Sequence, residues 1–131
     1  MSAYGGTVFK MGKKKILVID DEPCILQVLE IHLSSAGYDV ICAEDGAAGL
    51  RCLAEGDVNL VICDFCLPDM DGIELIKAIK AAKAAPPLVV ISGYLDDLNE
   101  VRVKQSGALE YLRKPFSKEC LLSMVADVLG A

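Results

Sequence analysis

The chain alternates between two hydrophobic patterns. Ile16-Leu17-Val18-Ile19 is a continuous apolar run that stops abruptly at Asp20-Asp21-Glu22, as expected of a parallel strand covered on both faces. Pro23 suits a first helical position. Ile25, Leu26, Val28, Leu29 and Leu33 then recur at helical spacing until Ala36-Gly37 ends the pattern. The alternation continues with Tyr38–Ala43 as strand, Ala47–Ala54 as helix, Val58–Cys63 as strand, and Ile73–Lys83 as helix before Pro86-Pro87. Leu88–Ile91 and Leu109–Leu112 read as strands, Asp97–Gln105 and Lys118–Leu129 as helices. Five strands interleaved with five helices predict an α/β fold: a doubly wound, five-stranded parallel sheet with helices on both faces and right-handed crossovers.

Composition narrows the class. At 131 residues the chain is one domain, and 53% hydrophobic against 24% charged residues excludes intrinsic disorder. A net charge of −6 argues against direct nucleic-acid binding through phosphate neutralisation. No apolar run approaches the ~20 residues of a membrane helix, and the opening lacks the apolar stretch of a signal peptide. The expected location is therefore cytoplasmic, without membrane association. Residues 1–12 are expected to be a flexible N-terminal extension, with the domain over residues 13–131. The six cysteines lie mostly inside apolar runs, which predicts that most are reduced core residues.

In an open doubly wound sheet, ligand chemistry gathers at the carboxyl ends of the strands. Asp20-Asp21 end the first strand, Asp64 follows the third, Ser92 the fourth, and Lys114 the fifth. Carboxylates facing one another raise each other's pKa unless a cation sits between them. A hard divalent ion with oxygen ligands answers this, and Mg²⁺ takes one or two protein carboxylates and completes its shell with substrate phosphate. Lys114 offers a compact positive charge and Ser92 a hydroxyl donor for phosphoryl oxygens. Asp64 is left as a nucleophile.

The runs Ile16-Leu17-Val18-Ile19-Asp20-Asp21-Glu22-Pro23, Asp64-Phe65-Cys66-Leu67-Pro68-Asp69-Met70-Asp71-Gly72, Ile91-Ser92-Gly93-Tyr94 and Lys114-Pro115-Phe116 together resemble the receiver domain of two-component response regulators, the CheY-like fold. The resemblance covers the chain from about Lys14 to its end. It implies a flavodoxin-like sheet of strand order 2-1-3-4-5 and phosphorylation of Asp64 by a histidine kinase or phosphotransfer protein. It also implies that Asp21 binds the metal directly, Asp20 through water, and Cys66 through its backbone carbonyl. Ser92 matches the hydroxyl switch residue, Lys114 the family's lysine, and Tyr111 the aromatic that changes rotamer on activation. The output face would be the fourth helix, fifth strand and fifth helix, read by a downstream protein. The protein would be a monomer or a phosphorylation-dependent homodimer. A receiver excised from a longer transcription factor or hybrid kinase, or a phosphorylation-independent scaffold, would carry the same motifs. Cys66 and Tyr94 depart from the residues frequent at their positions, and both bear on how long the phosphoryl group survives.

Plainer readings compete at several positions. Asp20-Asp21-Glu22 could merely cap a helix. Asp69 and Asp71-Gly72 resemble part of an EF-hand loop, but Leu67 stands where that loop begins with an acid, so they read as loop polarity and a helix start. Cys63 and Cys66 form a C-x-x-C without the further ligands zinc requires. A haloacid-dehalogenase phosphatase would need a second aspartate where Cys66 stands, and no P-loop or dinucleotide glycine pattern is present. Lys114-Pro115 could be a simple turn or a cis peptide that aims the lysine inward.

Overall fold

The computed structural model describes residues 13–93 and 97–130, the side chains of residues 97–99 excepted. In it β1 (Lys15–Ile19), β2 (Asp39–Ala43), β3 (Leu60–Asp64), β4 (Leu88–Ser92) and β5 (Glu110–Arg113) alternate with α1 (Pro23–Ser35), α2 (Gly46–Ala54), α3 (Gly72–Lys80), α4 (Asp97–Gln105) and α5 (Lys118–Leu129). All neighbouring strands pair in parallel, in the order β2-β1-β3-β4-β5. This is the doubly wound order 2-1-3-4-5.

The continuous apolar runs are explained by the two-sided covering of the sheet. Leu17, Ile19, Val61, Cys63, Leu88 and Val90 pack with α3 and α4 on one face, where Leu75, Ile76, Ile79 and Val103 complete a buried cluster. The intervening residues Ile16, Val18, Leu60, Ile62, Val89 and Ile91 pack on the other face with Leu26, Leu29 and Leu33 of α1 and Leu121 and Val125 of α5. Successive strand side chains point to opposite faces, so a strand with helices on both sides needs apolar residues at every position. The edge strands β2 and β5 carry exposed and half-buried positions instead.

Some boundaries differ from the sequence expectation. β3 begins at Leu60 because Asn59 replaces strand pairing with its side chain: its Oδ1 accepts from Lys15 N (2.8 Å) while its own N–H donates to Lys15 O (2.8 Å). α3 stops at Lys80, three residues early, and Ala84 takes a left-handed φ of 56° that reverses the chain ahead of Pro86-Pro87. Those prolines bar the residues before them from the helical region. The other bounds coincide or move by a single residue, as strand and helix ends do where the terminal hydrogen bonds fray.

The expectation of cysteines in the core is corrected. Only Cys63 is buried; Cys52 is half-buried, and Cys24, Cys42, Cys66 and Cys120 are exposed. An apolar neighbourhood in sequence does not bury every member, since an edge strand is covered along only part of its length and a helix buries one stripe. All six thiols are free. Burial, reinforced by the negative charge of Asp64, pushes the Cys63 thiol up to about 12, which leaves it inert.

Candidate functional site

The strand ends deliver the polar residues to one place. Asp20 leaves β1 with its N–H bonded to Ala43 O (3.1 Å), and its fully buried carboxylate turns back so that Oδ1 accepts from Glu22 N (2.9 Å). Asp64 is the last residue of β3, 5% exposed, and its Oδ1 accepts from Cys66 N at 3.2 Å. Ser92 ends β4 and is buried. Lys114 follows β5; its N–H bonds Ser92 O (3.0 Å), and the Lys114–Pro115 peptide is cis. From there Lys114 Nζ reaches Asp20 Oδ2 at 2.9 Å, Glu22 Oε1 at 3.0 Å and Asp64 Oδ2 at 3.3 Å.

One ammonium therefore serves three carboxylates, with Asp21 beside them. Carboxylate oxygens of Asp20, Asp21 and Asp64 lie within 4.8 Å of one another. Burial holds the Asp64 carboxyl above its usual range, and the Asp20 charge adds to this; the bonds from Cys66 N–H and Lys114 offset only part of the shift. Burial alone would lower the Lys114 pKa, but hydrogen bonds to Asp20 and Glu22 and attraction to Asp64 raise it, so the lysine stays charged. The anionic excess remains. Its donors are hard oxygens at the edge of a cleft of about 500 Å³, lined by Asp21, Glu22, Asp64, Cys66, Gly93 and Lys114. That donor set and space fit Mg²⁺, which prefers carboxylates and retains room for water and phosphate oxygens.

Asp20, Asp21, Asp64 and Lys114 thus meet as the strand-end pattern anticipates; Ser92 is buried at the end of β4 and does not line the cleft, whereas Cys66, expected there only through the resemblance, does. Cys66 is exposed on the loop after β3. Tyr111 pairs with Val90 on the strand that ends in Ser92, and its half-buried ring packs on the α3–α4 side with its hydroxyl shielded from solvent. Tyr94 and the extension over residues 1–12 lie outside the described residues.

Two residues acquire roles that sequence reading missed. Glu22 is the N-cap of α1, yet its side chain makes no capping bond and is spent on Lys114. The third consecutive acid was its only signal, and capping accounted for that equally well. Asp69, read as loop polarity, accepts hydrogen bonds from Gly46 N (2.9 Å) and Ala47 N (3.0 Å) at the start of α2. Nothing local in sequence announces a contact across 22 or 23 residues.

Comparisons with known proteins agree with this geometry. The family model for the response regulator receiver domain matches residues 16–126. The chain is 42% identical over 108 residues to the transcriptional regulatory protein KdpE of Mycobacterium tuberculosis, covering 82% of this chain and 47% of that protein. It is 35% identical over 114 residues to the transcriptional regulatory protein GlrR of Escherichia coli, covering 87% of this chain and 26% of that protein. The chain thus spans between a quarter and a half of these curated relatives. Among solved structures, a CheY-like receiver domain protein from Methanospirillum hungatei JF-1 superposes with a TM-score of 0.84 at 32% identity, covering 91% of this chain and 95% of that one. Matched along most of its length in sequence and in fold, with the acidic cluster and its lysine at the strand ends, the chain belongs to the response regulator receiver domain family.

Proposed function

We propose that this receiver domain accepts a phosphoryl group on Asp64 from a histidine kinase or phosphotransfer protein, with Mg²⁺ held by Asp20, Asp21, Asp64 and the Cys66 carbonyl, and that the transfer switches its binding surface. The observation that carries the reading is the convergence of Lys114 Nζ on Asp64 Oδ2 at 3.3 Å within a three-carboxylate cluster that borders an open cleft through Asp21 and Asp64. An Asp64 oxygen attacks phosphorus in line, the phosphorus–oxygen bond forms as the phosphorus–nitrogen bond of the donor phosphohistidine breaks, and the departing imidazole takes a proton. Bound Mg²⁺ supplies neutralisation of the phosphoryl oxygens. Lys114 gives up its bond to Asp64 and donates to a phosphoryl oxygen instead, while Asp20 and Glu22 continue to anchor it. The protein is a signalling switch whose only chemistry is gain and loss of its own phosphoryl group, and its setting is the cytoplasm.

Output follows from Ser92 and Tyr111. Both sit on the α3–α4 side of adjacent strands, so a Ser92 hydroxyl drawn to the phosphoryl group changes the space available to the Tyr111 ring. A ligand shifts a conformational equilibrium only through such differential contacts. The α4–β5–α5 face on which a downstream partner would read the change carries exposed Leu109 and a groove of about 620 Å³ between β5 and α5. Phosphorylation-dependent homodimerisation would use the same face.

Incubation with a small phosphodonor and Mg²⁺, followed by intact mass measurement, tests the reading. The wild type gains one phosphoryl group, whereas Asp64→Asn and wild type in excess chelator gain none; full phosphorylation in chelator refutes the metal's part. A second reading, that the sequence is the receiver portion of a longer transcriptional regulator, is supported by its spanning 26% of GlrR and 47% of KdpE.

A further inference from the structure

Asp69 lies outside the cleft lining, yet it joins the loop bearing Cys66 to the start of α2. The first amides of α2 show how. Ala48 N donates to Asp45 Oδ1 (2.8 Å) and Gly49 N to Asp45 O (3.0 Å), so the helix already has its own cap. The two outermost amides, Gly46 N and Ala47 N, donate instead to the two carboxylate oxygens of Asp69, at 2.9 and 3.0 Å. Such outer amides are routinely satisfied by water. What Asp69 adds is a cross-link between segments 22 and 23 residues apart.

The loop on the near side of this cross-link is tightly closed. Phe65 N is fixed to Ile91 O (3.0 Å), Cys66 N to Asp64 Oδ1 (3.2 Å), and Cys66 pairs across the loop with Asp71 in an antiparallel bridge. A Cβ on Gly72 would lie 2.5 Å from the Phe65 carbonyl oxygen, so the two ends of the loop touch through backbone. A Cβ on Gly46 would come within 3.3 Å of Asp69 Oδ1 and 3.1 Å of Met70 Sδ, so the absence of a side chain there admits the carboxylate. With both loop ends held, Asp69 is the attachment that sets where the middle of the loop sits. The two amide bonds hold its carboxyl below the usual range, which keeps the latch ionised at neutral pH.

We propose that Asp69 is a positioning residue for the metal site: by pinning the middle of the β3–α3 loop to the start of α2, it adds a further restraint to those already on Cys66 and so steadies the Cys66 carbonyl relative to Asp20, Asp21 and Asp64. The proposal rests on the reading of that cluster as a Mg²⁺ site. Partners that orient metal ligands without touching the metal typically change affinity by about tenfold or more when removed.

Calorimetric titration with Mg²⁺ alone, on the whole chain, tests this with Asp69→Ala, Asp69→Asn and Asp45→Ala. Asp45→Ala removes the cap of the same helix and leaves the loop pinned. Asp69→Ala should weaken Mg²⁺ binding about tenfold, Asp69→Asn less because one oxygen acceptor remains, and Asp45→Ala by no more than about twofold. Amide hydrogen exchange should quicken at Gly46, Ala47 and Cys66 in Asp69→Ala. Wild-type affinity in Asp69→Ala, or equal losses in Asp69→Ala and Asp45→Ala, overturns the proposal. Failure of the wild type to bind Mg²⁺ overturns the metal-site reading itself. In that case unchanged exchange at Cys66 in Asp69→Ala removes the latch as well, and faster exchange confines Asp69 to shaping the loop.

Discussion

Lys114→Met keeps most of the aliphatic stem and deletes the ammonium, which leaves Asp20 and Asp64 without their shared counter-charge. Asp20 is fully buried, Asp64 is 7% exposed at its side chain, and the lysine stands 2.9 and 3.3 Å from them. Removing one member of a buried ion pair costs about 3–5 kcal/mol. The lower end applies, about 3 kcal/mol, because the cleft admits water and Asp64 can take up a proton to relieve the strain. Glu22, 60% exposed at its side chain, adds little to this cost. For a domain of this size about 3 kcal/mol lowers Tm by roughly 10 °C. Thermal unfolding followed by circular dichroism in chelator should show that drop. Saturating Mg²⁺ should restore most of it, since a divalent cation among the three carboxylates replaces the missing charge, and the Mg²⁺-induced rise in Tm should exceed that of the wild type. An equal Tm deficit with and without Mg²⁺, or no deficit in chelator, refutes the argument that the lysine and the cation neutralise the same oxygens.

Four further outcomes are expected. Asp21→Ala should abolish Mg²⁺ binding in a calorimetric titration while barely changing stability in chelator, because Asp21 is exposed; retained affinity would leave Asp20 and Asp64 as sufficient ligands. Beryllofluoride with Mg²⁺ should shift Tyr111 ring resonances in the wild type and leave them largely unmoved in Ser92→Ala; no shift in the wild type would refute the coupling. Cys66→Asn and Tyr94→Ala should each speed release of phosphate, because hydrolysis requires an oriented water in line with the phosphorus–oxygen bond and a thiol donates only weakly; for Tyr94 the expectation rests on the size of the side chain in the sequence alone. Unchanged rates in both variants would leave the lifetime to other residues. The Asp69 carboxyl is held below its ordinary 3.8 by the Gly46 and Ala47 amides, so its contribution to stability is present above that value and fades as pH falls through the lower folded one. Urea unfolding of wild type and Asp69→Asn should therefore show a gap that narrows as the pH falls below the ordinary carboxylate range, and a gap that widens on acidification would reverse the assigned sign.

Local pattern determined a great deal here. The unbroken apolar runs of β1, β3 and β4 require helices on both faces, and each run ends in the acid or hydroxyl that the fold places at its ligand-binding edge. Strand order was legible only through the resemblance to a known family, because periodicity records which faces are buried and not which strand lies beside which. The placement of the cysteines, the early end of α3 and the start of β3 at Leu60 were decided by edge exposure, chain reversal and the Asn59 side chain. The bonds of Lys114 to Glu22, 92 residues away, and of Asp69 to Gly46, 23 residues away, arise because the parallel sheet gathers distant loops at one edge. A carboxylate's partner there is chosen by distance in space, which a linear pattern of hydrophobic and polar residues does not encode.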